Sequence, residues 1–455
     1  MLAIFISAIL FFGGCKKKDP LTAIDVPAPS DVEIISFTPE KIQLRWTDKS
    51  ANETGFVIEV SVDSGKKFTQ LTTTPTDRES VTVYTAFQPE KVYDFRIGAM
   101  SNATAIYSMA ASSKCWRTFI ASIEGQPDDE GYSIQQTSDG GYIIGGSWDL
   151  MKTDSRGTKV WRSDIRSIYS VLQNPDGGYI GGGRYVSLQK FNATGSILWV
   201  KNFGFIQPSE YTSCVLPTSE GGFVLLGNMF TPENKGLELT LIKTDGDGNE
   251  VWRKYYGGPQ NDLGKCVFQT SDGGYIIAGS SRTFASDIDQ LYIVKTDTAG
   301  NLQWEKRYGG GTVQYAGNSV VQNDDGSYTI CGSTAITKGL QIKVDTVGAV
   351  LWEKIFDEAN AGPQLSIVRS NDNGYVVAGA SYSRVTGSPD LMLMKSDANG
   401  TVLWRRIFGG DNTELGYCVL RTADGGYIVS GAQTLIGSGM TRTYLVKTDD
   451  NGIIH

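Results

Sequence analysis

Histidine is almost missing from this 455-residue chain, whose one copy is His455. That shortage excludes Ser-His-Asp and Cys-His nucleophiles, helical zinc sites built on paired histidines, and a histidine general base. Cysteine is scarce too: six copies, none in a short paired spacing, give no disulfide framework. Nor is there a strong charge of one sign. The 41 basic and 49 acidic residues leave a net charge of −8, too mild for disorder and of the wrong sign for a nucleic-acid footprint. Glycine is what the chain has in excess: 54 residues, above the usual ~7 % share. Together with 21 Tyr, 18 Phe and 9 Trp it reads as an all-β chain full of tight turns. At about 150 residues per domain, the length suits two or three domains, or one small module beside one large one.

Residues 2–12 are apolar and lead into Gly13-Gly14-Cys15-Lys16-Lys17-Lys18-Asp19. This run is short of the ~20 residues of a membrane span but suits the core of a signal peptide. The segment resembles a bacterial lipoprotein signal, in which small residues precede a cysteine that becomes the lipidated first residue. Phe12 stands where that family usually has leucine, and no Lys or Arg precedes the run. The resemblance, of the Bacteroidetes type, implies a signal peptide over 1–14, lipid attachment at Cys15 and a tether over 15–26. It further implies export and anchoring to the cell envelope, at the outer membrane, with the periplasmic or surface side left open.

Residues 27–112 alternate apolar and polar positions between turn clusters, as in Ile42-Gln43-Leu44-Arg45-Trp46. Short strands at this spacing suggest a β-sandwich. With Pro27 and Pro29 at the start, Trp46 in the core and Tyr93-Asp94-Phe95-Arg96-Ile97-Gly98-Ala99 as a later strand, the stretch resembles a fibronectin type III domain. No Arg-Gly-Asp tripeptide is present, and a spacer role is expected.

The rest of the chain repeats. An Asp-Gly-Gly-Tyr turn or a variant starts at Asp139, Asp176, Glu220, Asp272, Asp325, Asp372 and Asp424. Each is followed by an apolar strand, a variable stretch and a Lys-x-Asp or Lys-x-Asn strand end, from Lys152/Asp154 to Lys447/Asp449. A glycine three residues on closes an Asx-type turn, and beyond it stand Trp161, Trp199, Trp252, Trp304, Trp352 and Trp404. The turn aromatics from Tyr142 to Tyr427 recur at intervals of 37 to 53 residues, the span of one four-stranded blade, so 113–455 is expected to be a seven-bladed β-propeller. The seventh repeat lacks its Trp strand, and Cys115-Trp116-Arg117-Thr118-Phe119 is expected to supply it, with Trp116 in the tryptophan position. Residues 453–455 would then compete with 113–115 for one stretch of that strand. The Lys-Thr-Asp-x-x-Gly-x-x-x-Trp block also resembles the repeats of quinone-dependent dehydrogenase propellers and of the propeller lipoprotein that assists outer-membrane protein assembly, over one turn and strand per blade.

Length varies in the loops at 228–238, 280–290, 380–390 and 432–443, and not in the two turn types. In a propeller these loops share one face, where ligands bind. Trp148, Phe230, Phe284 and Tyr382 on that face are candidates to stack on a glycan or a protein ligand. Acids before the first strands, Asp129, Glu210, Asp262 and Glu414, suit hydrogen bonding at strand entry. In the alternative reading, a glycoside hydrolase or lyase using paired carboxylates, Glu210, Asp262 and Glu414 are the candidate acids. Cys214, Cys266 and Cys418 take a small slot that holds serine in the other repeats. No residue set is assigned to catalysis, a metal or a cofactor. Asp245-Gly246-Asp247-Gly248-Asn249 looks like the start of a calcium loop but lacks the later bidentate Glu. The function expected is therefore binding or scaffolding at the envelope, with the enzyme as the alternative.

Overall fold

The computed structural model describes residues 26–455 except 90, 102–103, 126–127, 232–235, 284–285, 311, 335–336, 358–361 and 383–387. The expected signal peptide, Cys15 and nearly all of the tether lie outside the described residues. The chain divides into two compact units, Met1–Trp116 and Arg117–His455. Every regular element among the described residues is a β-strand, so no helix there could cross a membrane.

In the first unit, period-two patterning sets which side chains are buried. Along Lys41–Thr47 the residues Ile42, Leu44 and Trp46 are buried while their neighbours are less so, because successive side chains leave a strand on opposite faces. Ser30–Phe37, Lys41–Thr47 and Ser80–Tyr84 form one sheet. Thr69–Thr74, Gly55–Ser61, Val92–Ser101 and Thr104–Tyr107 form the other, and Ala111–Lys114 also pairs with Val92–Ser101. Phe37, Trp46, Phe56, Phe95 and Ile97 fill the core, each such side chain contributing about 1.5–3 kcal/mol when fully buried. The Tyr93 hydroxyl accepts the Gln88 N–H at 2.8 Å, and Phe87 packs edge-on to Phe37 with ring centroids 4.8 Å apart. Cys115, expected at the start of the second domain, is instead fully buried in this core, its N–H donating to the Lys91 carbonyl at 2.9 Å. Ser113 pairs with Tyr93. The boundary thus falls after Trp116 and not after residue 112, because strand pairing holds 113–114 in the sandwich.

The described residues of the second unit form seven four-stranded antiparallel sheets. The first is Gly131–Gln136, Tyr142–Gly146, Leu150–Thr153 and Lys159–Ser163. The next five begin at Ile168–Gln173, Tyr211–Pro217, Asp262–Gln269, Tyr315–Gln322 and Gln364–Arg369 and use consecutive strands. The seventh joins Thr413–Arg421, Tyr427–Thr434 and Thr441–Thr448 to Phe119–Ile123 from the start of the unit. The first strand of each sheet touches that of the next, and Thr413–Arg421 touches Gly131–Gln136, so these contacts close a ring. Neighbouring sheets cover both faces of the second strands, which is why these read as unbroken apolar runs.

The repeated motifs hold this architecture through two devices. The Lys of each Lys-x-Asp end reaches the acid of the Asp-Gly-Gly turn in its own sheet, giving Lys152–Asp139 (2.9 Å), Lys190–Asp176 (2.8 Å), Lys243–Glu220, Lys295–Asp272 (2.9 Å), Lys343–Asp325 (3.2 Å), Lys395–Asp372 (2.7 Å) and Lys447–Asp424 (2.9 Å). Within the turn the first glycine is left-handed (Gly140, φ 80°), and a Cβ on the second, Gly141, would sit 2.2 Å from the Thr153 carbonyl. The second device joins sheets: each tryptophan packs under the turn glycine of the following sheet, Trp161 under Gly195 and so on to Trp404 under Gly452. Trp161 also meets Tyr179 of that sheet edge-on, with ring centroids 5.7 Å apart. The expected Asx turns form as well. Asp297 Oδ1, for example, accepts the Ala299 N–H at 2.9 Å and the Asn301 N–H at 2.8 Å.

The closing strand is supplied from the front of the unit, but in a different register from the expected one. In six sheets the repeat lysine pairs with the tryptophan, as Lys395 does with Trp404; in the seventh, Lys447 pairs with Phe119. Phe119 packs under Gly157 and lies 6.2 Å from the Tyr142 ring, so it holds the tryptophan position. Trp116 belongs to the first unit, where Lys114 Nζ lies 4.8 Å from its ring centroid. The anticipated competition between 453–455 and 113–115 therefore does not arise. The His455 N–H donates instead to Thr118 Oγ1 at 2.9 Å, and its ring meets Asp449 at 3.1 Å.

Candidate functional site

The two turn types share one face of the ring, leaving the entries of the first strands and the connections between second and third strands on the other. The entry acids all serve the local backbone or their immediate neighbours. Glu210, with no exposed surface, accepts the Gln207 and Phe230 N–H groups at 3.1 Å each. Asp262 accepts the Gly258 N–H at 2.6 Å, and burial raises its carboxyl above the ordinary range. Glu414 accepts Gln433 Nε2 at 2.9 Å and is likewise raised by burial. In each case the glycine ending the preceding sheet, Gly204, Gly257 or Gly409, lies against the carboxyl, so a Cβ there would collide with it. These three acids belong to three different sheets.

Two carboxyls do meet in the first sheet. Asp129 and Asp149 are both wholly buried, and Arg162 Nε lies 3.1 Å from Asp149 Oδ2. Burial, then repulsion from Asp129, raises the Asp149 carboxyl; burial raises Asp129 as well. Each carboxyl thus favours its neutral form more than an isolated one would. Asp149 carried no signal in the sequence beyond its place beside Trp148.

Of the candidate aromatics, Trp148 is half-buried under the Arg166 guanidinium, 4.0 Å from the ring centroid. Phe230 lines a cleft of about 470 Å³ with Phe205, Gln207 and Thr231. Glu210 links two walls of this cleft, since it accepts N–H groups from both Gln207 and Phe230. Phe205 is 53 % exposed. Tyr382 stands at the end of Tyr375–Tyr382 in the sixth sheet, away from that cleft. Phe284 lies outside the described residues.

The sequence reading missed an inner row of tyrosines. Every first strand has a bulge just before its Ser or Cys slot, as between Gly131 and Ser133 or Gly416 and Cys418. The residues at that point are Tyr132, Tyr169, Ser213, Lys265, Asn318, Leu365 and Tyr417. A bulge re-aims its extra residue, and here the ring closure brings these positions round one inner edge. Tyr417, Tyr132, Tyr169 and Tyr211 touch in series, with centroids 5.6, 5.2 and 5.6 Å apart. Burial and then the Glu130 carboxylate raise the Tyr132 and Tyr417 hydroxyls, so both stay protonated. The available signal was a tyrosine before the slot in three repeats. Backbone strain gathers in the same quarter, where Asp128, Ser167, Tyr185, Val186 and Ile206 all take positive φ. The slot itself packs and bonds between sheets: Ser170 Oγ accepts the Val215 N–H at 3.0 Å, and Cys214 contacts the Val267 carbonyl at 3.8 Å.

Residues 27–110 match the fibronectin type III domain. No curated protein matches the chain. Among solved structures, the chain is similar to a protein of unknown function from Bacteroides caccae, with 12 % identity, 58 % of this chain and 92 % of that chain covered, and a TM-score of 0.40. It is also similar to the WD40 β-propeller domain of Doa1, with 14 % identity, 71 % and 95 % covered, and a TM-score of 0.46. A third is the extracellular domain of a B. thetaiotaomicron protein described as a hybrid two-component system, with 9 % identity, 91 % and 51 % covered, and a TM-score of 0.45. The chain spans about half the length of this last structure. The first unit is thus a fibronectin type III module.

Proposed function

We propose that this chain is an envelope lipoprotein, lipidated at Cys15, in which the fibronectin type III module spaces a seven-bladed β-propeller from the membrane. The propeller holds a glycan or protein ligand on its variable-loop face, and the protein acts by binding or scaffolding. The observation that carries this reading is the asymmetry of the ring. One face is uniform and tied by lysine–acid pairs, while the other gathers the Phe205/Phe230 cleft, the tyrosine row and the strained turns. Half-exposed aromatics beside hydroxyls and amides suit stacking on sugar rings or peptide side chains.

The enzyme alternative is weaker on geometry. Among the described residues, Glu210, Asp262 and Glu414 are separated by sheet and occupied by neighbouring donors, and the touching pair Asp129–Asp149 has no exposed surface. Glycan and peptide arrays probed with the chain from Pro27, beside its Phe230→Ala and Tyr132→Ala variants, test the binding reading. The expected result is a discrete set of binders weakened at least tenfold by one of the substitutions. Binders equally retained by both variants, or none at all, would remove the ligand face.

A further inference from the structure

The slot in the first strand of each sheet holds serine in four sheets and cysteine in three, and the ring sets each slot beside the next. Ser170 Oγ accepts the N–H of Val215, the residue after the following slot, at 3.0 Å, and Ser366 Oγ accepts that of Val419 at 3.1 Å. Slots also touch directly, since the Ser319 hydroxyl meets Cys266 Sγ at 3.7 Å. Only between the third and fourth sheets do two cysteines stand in this relation. Cys214 Sγ lies 3.8 Å and Cys266 Sγ 3.9 Å from one oxygen, the Val267 carbonyl, and the Cys214 thiol donates a hydrogen bond to the Cys266 sulfur. That sulfur therefore collects three donors: the Cys214 thiol, the Val320 N–H and the Ser319 hydroxyl. The Cys214 bond does most to lower the Cys266 thiol to about 7 against the opposing effect of burial, while the same bond raises Cys214 and keeps it protonated. Cys331 and Cys418 are raised by burial instead. Both members of the pair are only half-buried, unlike Cys331.

We propose that Cys214 and Cys266 form a redox pair, in which a peroxide oxidises Cys266 and Cys214 resolves it to a disulfide joining the third and fourth sheets. A thiolate is the attacking form of cysteine, and one held beside a second thiol is the arrangement that turns a sulfenic acid into a disulfide. The Cys266 thiolate attacks one oxygen of hydrogen peroxide, the O–O bond breaks, and hydroxide leaves, giving the sulfenic acid. The Cys214 sulfur then attacks the Cys266 sulfur; the S–O bond breaks, the hydroxyl departs with the Cys214 proton as water, and the S–S bond forms. The two sulfurs lose two electrons between them, and the peroxide is reduced to hydroxide and water. A disulfide needs Cα atoms about 4.4–6.8 Å apart, and the first strands of these two sheets approach to within 8 Å between Cα atoms. The bond would fasten the two sheets at the inner edge of the ring, where Tyr211 and Lys265 stand on the same two strands.

Treatment of the reduced full chain with hydrogen peroxide, followed by peptide mapping without reductant, tests the pair. A linked Cys214–Cys266 peptide is expected, reversed by dithiothreitol, with Cys418 oxidised at least about tenfold more slowly than Cys266. Serine already occupies the slot in four sheets, so Cys214→Ser and Cys266→Ser should both fold. Cys266→Ser should give no cross-link and leave Cys214 reduced, whereas Cys214→Ser should leave Cys266 as a sulfenic acid that dimedone captures. Absence of the linked peptide from peroxide-treated wild type, or oxidation of Cys266 no faster than that of Cys418, overturns the proposal.

Discussion

On one face of the ring, seven lysines meet seven turn acids in the same geometry, sheet after sheet. On the other, the connections run from the tight hairpin at Tyr185-Val186 to the longer segment before Thr441. Both faces grow from the same strands, so the difference lies in what each turn must satisfy. A uniform turn closes its own sheet and meets the same neighbour every time, which leaves little freedom in sequence. The variable connections carry no such obligation once the entry acid has engaged the local amides. They hold the cleft, the strained residues and the exposed aromatics.

The largest effect expected on this comparison comes from removing the closure that both faces share. A chain beginning at Arg117 keeps Phe119–Ile123 and should unfold cooperatively. One beginning at Glu124 exposes the edge of Thr441–Thr448 and should aggregate or melt far lower. Equal melting curves would mean that the pairing of Lys447 with Phe119 does not hold the ring.

Next come the turn pairs, compared within one face. Lys447 and Asp424 have side chains only 2 % and 5 % exposed, so Lys447→Ala should cost about 3–5 kcal/mol in chemical denaturation by stranding a buried acid. Asp325 is 58 % exposed, and Lys343→Ala should cost no more than about 1 kcal/mol. Similar losses from both would show that burial does not set the value of these pairs.

The two faces should also respond oppositely to pH. Burial works against ionisation of Asp139, Asp272 and Asp372, but hydrogen bonds from lysine, hydroxyl and amide groups outweigh it and hold them at about 2. Their folded values lie below the unfolded ones, so their contribution is complete above pH ~4 and is lost between about 4 and 2. Asp129 and Asp149 are raised, so their folded form binds protons more tightly than the unfolded one. Their contribution is complete below the ordinary carboxylate range and declines as pH rises above it. Asp149→Asn should flatten the alkaline side of a stability–pH curve and leave the acid side unchanged. An unaltered alkaline limb would mean that Asp149 is not raised.

The smallest stability effect belongs to the variable face. Phe205→Ala, at a side chain half exposed beside the cleft, should change stability by less than about 1 kcal/mol. A large loss of melting temperature would move Phe205 from a ligand wall to a structural contact.

Much of the ring was legible because its devices are local. The Asp-Gly-Gly and Lys-x-Asp-x-x-Gly turns depend on left-handed glycines and side-chain caps within a few residues, so each copy announces itself. The sandwich was legible in the alternation of Ile42, Leu44 and Trp46. The closing strand was read one turn of pattern too early. Trp116 matches the motif, whereas the residue paired with Lys447 is Phe119, and only pairing between segments more than 300 residues apart distinguishes them. Phe230 and Glu210 were both singled out, yet nothing in their spacing indicated that the carboxylate would fasten the walls of the aromatic's cleft.

The sequence by itself determined the strand-and-turn repeat and the sandwich ahead of it, because each rests on short-range sterics, capping or period-two burial, whereas the pairing of each repeat lysine with the turn acid of its own sheet appeared only in the fold. Only the tertiary structure decided which aromatic closes the ring, that Cys115 packs in the sandwich core, and that four tyrosines from four sheets stand in one row. It also brought Cys214 and Cys266 together from neighbouring sheets. The physical reason is the same in every case: these are meetings of positions far apart along the chain, fixed by strand register and ring closure, and no local preference encodes them.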